Sequence, residues 1–211
     1  MKRQIDYSLY LVTDRGLSRG RSTHEIVKMA VDGGASIVQL REKNCDTREF
    51  VKEALMIKPF LEKAGVPLII NDRIDVALAV GAEGVHLGQK DMPIDLAKKI
   101  LPGGMIIGIS AESVEDAIRA EMNGADYIGA SPVFSTLTKT DTAPPLGLEG
   151  LRKMKAAVGI PIVGIGGISD SNAKDVIQNG ADGIAVVSAI VSADDPRKAA
   201  ADLRLKVESA K

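Results

Sequence analysis

The polar residues with the most chemical promise follow short aliphatic runs, one cluster after another along the chain. After Ile37-Val38 comes Gln39-Leu40-Arg41-Glu42-Lys43. On an extended backbone Gln39, Arg41 and Lys43 fall on one side. An amide, a bidentate guanidinium and a mobile ammonium so placed suit a diphosphate, although the same residues also read as a solvated charge run. After Leu68-Ile69-Ile70 comes Asn71-Asp72-Arg73, and after Gly84–Leu87 comes Gly88-Gln89-Lys90-Asp91. Asp72 and Asp91 can hold Mg²⁺, a hard cation that takes one or two carboxylates together with substrate phosphate and water. The plainer role for Asp72 is a helix N-cap.

Four further segments offer anion contacts. Ser110, after Met105–Ile109, suits either a phosphate contact or a helix cap, with Ser113 as a second capping candidate. Thr136-Leu137-Thr138-Lys139 places two hydroxyls and a cation within four residues. Gly166-Gly167 and Val187-Ser188 follow two late aliphatic runs. Glycines without a Cβ permit close backbone approach to a phosphate, and a helix start supplies N–H groups and a favourable dipole.

These clusters need elements that bring them together. Strand candidates are Leu9–Thr13, Ile37–Leu40, Leu68–Ile70, Gly84–Leu87, Met105–Ile109, Tyr127–Gly129, Ile162–Gly164 and Gly183–Val187. Amphipathic stretches such as Thr23–Asp32, Thr47–Ala64, Val114–Met122 and Ser171–Gln178 separate them. Strict alternation of this kind predicts a parallel sheet with crossover helices. A Gly-Ala-X unit recurs at Gly34-Ala35-Ser36, Gly81-Ala82-Glu83, Gly124-Ala125-Asp126 and Gly180-Ala181-Asp182, before every second strand. The expected fold is therefore α/β, a single (β/α)8 TIM barrel over residues 1–211. In such a barrel every cluster above lies at the C-terminal mouth, where barrel active sites form. An open doubly wound sheet is disfavoured, because no G-x-G-x-x-G follows an early strand. The Pro- and Thr-rich stretch at about 130–147 exceeds a minimal βα connection and is expected to act as a lid.

Composition narrows the partners. The 211 residues carry 27 basic and 28 acidic side chains, with 3% aromatics and no Trp. Neither a basic field nor stacking residues point to nucleic acid. No aliphatic run approaches membrane-spanning length, and no signal-peptide core follows the charged start, so a cytoplasmic protein acting on small molecules is expected. The lone Cys45 fits a reducing compartment and, without a neighbouring His, is expected to be an incidental loop residue. His24 is expected to face solvent, and His86 to be a satisfied core histidine. Structural zinc is not expected.

Taken in order, Leu-Val-Thr-Asp-Arg (11–15), Gln-Leu-Arg-Glu-Lys (39–43), Ile-Asn-Asp-Arg (70–73), Gly-Val-His-Leu-Gly-Gln-Lys-Asp (84–91), Thr-Leu-Thr-Lys-Thr-Asp (136–141), Pro-Leu-Gly-Leu-Glu-Gly-Leu (145–151) and Val-Gly-Ile-Gly-Gly-Ile (163–168) resemble the thiamine phosphate synthase family across nearly the whole chain. That resemblance implies a transferase joining 4-amino-2-methyl-5-hydroxymethylpyrimidine diphosphate to a thiazole phosphate, with Mg²⁺ as cofactor. It implies that Gln39, Leu40, Arg41, Glu42, Lys43, Asn71, Ser110 and Lys139 bind the pyrimidine diphosphate, and that Asp72 and Asp91 ligate the metal. Thr136, Leu137, Thr138, Gly167, Val187 and Ser188 would hold the thiazole phosphate. Arg41, Lys43 and Lys139 are the expected catalytic cations. The chain departs from the family at Ser135, where many members carry Pro, and at Glu112, where many carry His. The related thiazole tautomerases are expected to use a His on the loop after the fifth strand. This chain has Ser110-Ala111-Glu112 there, which favours the synthase over a tautomerase-like isomerase or a non-catalytic phosphate-binding barrel.

Overall fold

The computed structural model describes residues 5–136 and 144–211. Eight parallel strands close into a barrel in sequence order: β1 (Leu9–Val12), β2 (Ile37–Leu40), β3 (Leu68–Asn71), β4 (Gly84–Leu87), β5 (Ile106–Ala111), β6 (Tyr127–Ala130), β7 (Ile162–Ile165) and β8 (Gly183–Val186), with β8 pairing back onto β1. The helices form the outer ring: α1 (Thr23–Asp32), α2 (Thr47–Ala64), α3 (Ile74–Val80), α4 (Ile94–Ile100), α5 (Val114–Met122), α6 (Gly147–Ala157), α7 (Ala173–Gln178), a short α8 (Ser188–Val191) and α9 (Pro196–Glu208). The expected (β/α)8 TIM barrel is the fold observed. Strands β3, β5, β6 and β7 run a residue or two past the expected ends, because their last residues still pair with a neighbour. Asn71, for example, lies opposite His86, and Ser110 opposite Gly129.

Helix boundaries follow local chemistry. Ser22 and Glu25 form a reciprocal capping box at the start of α1, Asp46 caps α2, and Ser113 caps α5 by accepting from the Asp116 N–H. Gly65 and Gly81, both left-handed, end α2 and α3.

Side-chain alternation along the strands divides the apolar interior in two. Leu9, Leu11, Val38, Leu40, Leu68, Ile70 and Ile128 point outward and pack under the helices, while Tyr10, Val12, Ile37, Ile69, Tyr127, Val163 and Ala185 point into the barrel. Room inside is made by glycine. A Cβ on Gly108 would lie 2.1 Å from Cζ of Tyr127, so the ring of Tyr127 occupies the space that any side chain at 108 would need.

The Gly-Ala-X unit does more than turn the chain. Its third residue ties two strands together at the barrel floor. Backbone N–H groups of Ser36, Glu83, Asp126 and Asp182 donate to the carbonyls of Leu9, Leu68, Ile107 and Ile162. Their side chains in return accept from the N–H groups of those same residues, at 3.1, 2.8, 2.9 and 2.8 Å. Four odd-numbered strands are thereby anchored at their first residue, or their second in β5, by the loop entering the next strand. Asp126→Ala should strand the part-buried Ile107 N–H and lower unfolding free energy by about 1–3 kcal/mol in urea denaturation. Catalytic constants should stay near wild type, since the floor lies at the opposite end from the mouth.

Candidate active site

The C-terminal mouth encloses a cavity of about 650 Å³, lined from every strand. Of the residues expected to form a site, Gln39, Arg41, Asn71, Asp72, Asp91, Ser110, Thr136, Gly167, Val187 and Ser188 all line it. Lys43 does not line it and meets it only through its pair with Asp72, and Leu40 and Glu42 do not line it either. Strand alternation turns Leu40 into the outer apolar layer. Glu42, with its side chain 5% exposed, faces Arg15 behind the cavity wall, 3.8 Å away, within a group completed by Glu49 and Glu53. Any contact these two make with a ligand is therefore through the main chain. Leu137, Thr138 and Lys139 lie outside the described residues.

The cations at the β2 exit are held by carboxylates. Arg41 pairs with Asp14 at 2.9 Å, and its N–H donates to Thr13 Oγ1 at 3.0 Å. Lys43, at the rim, donates to Asp72 at 2.5 Å. Asp14 was not among the residues expected from sequence to act in the site. Its signal was its position, a carboxylate just beyond β1 as Asp72 is just beyond β3.

Asp72 is not a helix cap: Arg73 occupies the N-cap position of α3, without a side-chain cap bond. Instead Asp72 adopts φ of 61°, and its N–H donates to the His86 carbonyl at 2.9 Å. That sparsely populated conformation, costing roughly 1–3 kcal/mol, aims the carboxylate into the cavity. The turn after β4 brings in Asp91, which accepts from the Gly88 N–H at 2.6 Å. The two carboxyls act on one another. Burial, then Asp72, push Asp91 above the usual carboxylate range. Burial acts the same way on Asp72, but Lys43 and Asp91 outweigh it and hold that carboxyl low. Two neighbouring carboxyls, one of them raised by the other, suit a divalent cation that would relieve their repulsion. Among the described residues no group of three or more His, Cys, Asp or Glu could hold a metal. The pair fits a cation that takes its other ligands from phosphate and water, as Mg²⁺ does.

Ser110 does not cap a helix; Ser113 does that. Ser110 Oγ lies 2.9 Å from His86 Nε2, and His86 Nδ1 lies 2.8 Å from the Tyr127 hydroxyl. His86 is thus the satisfied histidine expected, though it sits in the cavity wall. His24 is partly buried and stacks edge-on against Phe60. Cys45 is a free thiol pushed upward by burial and by Glu42, the reverse of nucleophile activation.

On the opposite side of the mouth the glycine pair is conformationally required. Gly166 and Gly167 have φ of 101° and 65°. A Cβ on Gly166 would lie 2.7 Å from Pro132 Cβ, and one on Gly167 2.6 Å from the Ser135 carbonyl oxygen. The strand exits of β6 and β7 are laced together there by Val133 N–H to Ile165 O and Phe134 N–H to Gly166 O. Asn172 braces the same loop, donating to Gly167 O at 2.9 Å and accepting from Ser169 N–H at 2.8 Å. Across from it α8 begins at Ser188 with no side-chain cap from Val187. Its first N–H groups have no intrahelical partner.

Backbone after the seventh strand and the start of α8 after the eighth face this cavity, at the place where barrels of this fold frequently bind phosphate. The particular family is given by comparison with known proteins. The family model described as thiamine monophosphate synthase matches residues 9–190. The thiamine-phosphate synthase of Chloroflexus aurantiacus is 54% identical over 203 residues, covering 96% of this chain and 94% of that protein. That of Methanocella arvoryzae is 50% identical, covering 95% and 94%. The solved thiamine phosphate pyrophosphorylase from Pyrococcus furiosus superposes with a TM-score of 0.90 at 46% identity, covering 97% of each chain. A 3-hexulose-6-phosphate synthase, with a TM-score of 0.74 and 18% identity, shares the fold alone. The chain belongs to the thiamine monophosphate synthase family.

Gly167→Ala should lower the thermal midpoint by roughly 5–10 °C, through left-handed strain and overlap with Ser135. Gly103→Ala, where an added Cβ meets nothing within 4 Å, is the matched control and should leave it unchanged.

Proposed function

We propose that the protein condenses 4-amino-2-methyl-5-hydroxymethylpyrimidine diphosphate with 4-methyl-5-(2-phosphooxyethyl)thiazole to give thiamine phosphate and diphosphate, or with its carboxylated form to give the same products and carbon dioxide. The observation that carries this reading is the convergence of Arg41, Lys43, Asp72 and Asp91 at one side of the mouth, opposite the glycine loop and the start of α8. Arg41 and Lys43 grip the diphosphate, joined by Lys139 from the lid-like segment at about 130–147. Gln39, Asn71 and Ser110 orient the pyrimidine; Leu40 and Glu42 contribute only backbone. Thr136, Leu137, Thr138, Gly167, Val187 and Ser188 hold the thiazole phosphate. Asp72 and Asp91 hold Mg²⁺, which neutralises charge on the leaving diphosphate.

The chemistry needs no strong base. The bond between the pyrimidine methylene and the diphosphate oxygen breaks with its electron pair going to oxygen, leaving a ring-stabilised carbocation. The thiazole nitrogen lone pair then forms the new C–N bond. The residues supply positioning, charge complementarity to the departing anion and exclusion of water that would trap the cation. Among the described residues no helix is long and apolar enough to cross a membrane, which suits a cytoplasmic enzyme of small-molecule metabolism.

Mixing both substrates with Mg²⁺ should yield thiamine phosphate and diphosphate, and EDTA should abolish the product. Asp91→Ala and Lys139→Ala should each reduce turnover at least about 100-fold while the far-ultraviolet circular dichroism stays that of the barrel. A folded, metal-loaded protein that forms no product contradicts the assignment.

A further inference from the structure

Beneath the cavity a continuous hydrogen-bonded chain crosses the barrel interior. Gln39 Nε2 donates to the Tyr10 hydroxyl at 3.0 Å, the Tyr10 and Tyr127 hydroxyls are 2.8 Å apart, Tyr127 reaches His86 Nδ1 at 2.8 Å, and His86 Nε2 reaches Ser110 Oγ at 2.9 Å. All five residues line the base of the cavity, and Tyr10, Tyr127 and Gln39 are buried. Gly108 and Gly129 leave the space that the Tyr127 and His86 rings occupy.

The chain has a direction. Burial holds both tyrosines far above their ordinary pKa, against the hydrogen bonds with Tyr127 and Gln39 in the case of Tyr10, so each hydroxyl keeps its single proton. Because Gln39 donates to Tyr10, the Tyr10 proton goes to Tyr127, and the Tyr127 proton goes to His86 Nδ1. His86 then carries its proton on Nε2 and donates it to Ser110. The Ser110 proton is left to donate into the cavity. Gln39 is held with one N–H spent on Tyr10, which leaves its Oε1 and second N–H for a ligand.

We propose that Tyr10, Tyr127 and His86 are positioning residues that lock the amide of Gln39 in one orientation, making the site select a 4-aminopyrimidine over a 4-oxopyrimidine. This rests on the synthase reading above. An aminopyrimidine edge presents an amine donor beside a ring-nitrogen acceptor, matching Oε1 and the second N–H of Gln39, as Gln matches adenine. A 4-oxo ring presents the opposite pattern. Accepting it would require the amide to turn over and place Oε1 against Tyr10, and with it every link to reverse: both phenols, the His86 tautomer and Ser110. The relay couples that flip to four other groups, and an amide that does not turn leaves mispaired groups in a desolvated site, the circumstance in which discrimination is large.

The test compares the 4-amino substrate with its 4-oxo analogue as diphosphates, in wild type, Tyr10→Phe and Tyr127→Phe. Wild type should prefer the amino ring by at least about 100-fold in kcat/KM or in competitive binding. Each variant should narrow that preference by about tenfold or more, through weaker amino-ring and stronger oxo-ring binding, while KM for the thiazole phosphate holds. Folded variants that lose activity with the preference intact would reduce the relay to a structural core and overturn the proposal. Should either substitution prevent folding, nitrogen-15 resonances of His86 in the wild-type protein decide: the Nε2–H tautomer is expected, and the Nδ1–H tautomer overturns it. Absence of any product in wild type would instead count against the synthase reading itself.

Discussion

Closure of the β-sheet is the constraint from which the site follows. Once β8 pairs with β1, every second side chain has only the barrel interior to occupy, and its height is fixed by register. Low in the barrel those positions are apolar or aromatic: Ile37, Ile69 and Tyr127. One inward position further along the strand they become Gln39, Asn71, His86 and Ser110. On β2 to β5 the transition from packed interior to polar cavity therefore takes one inward position, whereas β1, β7 and the exit of β8 present Val12, Ile165 and Val187 at that level. Polar groups at that level are affordable because they bond to one another and to a ligand.

Charge at the mouth is arranged in exchangeable pairs. Lys43 with Asp72, and Arg41 with Asp14, satisfy each other, and on the proposed reading they part when an anion and a cation arrive together. In the first pair Lys43 is half exposed while Asp72 is mostly buried. The Arg15 group behind the wall differs. Glu42 and Glu53 each keep a buried oxygen without a hydrogen-bond partner, and burial, against the pull of Arg15, raises the Glu42 carboxyl above its ordinary range. The β1 and β2 exits are thus cross-braced by adjacent pairs of opposite orientation, Asp14–Arg41 and Arg15–Glu42.

Much of this was legible in the sequence. Alternating aliphatic and amphipathic segments define the barrel, and strand ends point to Arg41, Asp72, Asp91 and the Gly166-Gly167 pair. What escaped depended on direction in three dimensions. Reading Gln39–Lys43 as one block gave Leu40 and Glu42 a cavity role that alternation denies them, since an extended chain presents only every second side chain to one side. The role of Asp72 as a left-handed residue and not a cap is set by the bond from its N–H to His86, across a strand boundary. The link between Tyr10 and Tyr127 spans residues far apart in the chain, brought together only by closure. Conversely, the Gly-Ala-X units were legible as repeats, but their clamp on the preceding strand required knowing which N–H groups the floor would leave unpaired.

The most direct test is a diffraction structure of the protein crystallised with Mg²⁺ and inorganic diphosphate. The account predicts a metal ion between Asp72 and Asp91, with diphosphate oxygens on that ion, on Arg41 and on Lys43. A diphosphate bound elsewhere on the barrel, or a metal ion that ignores both carboxylates, would contradict it.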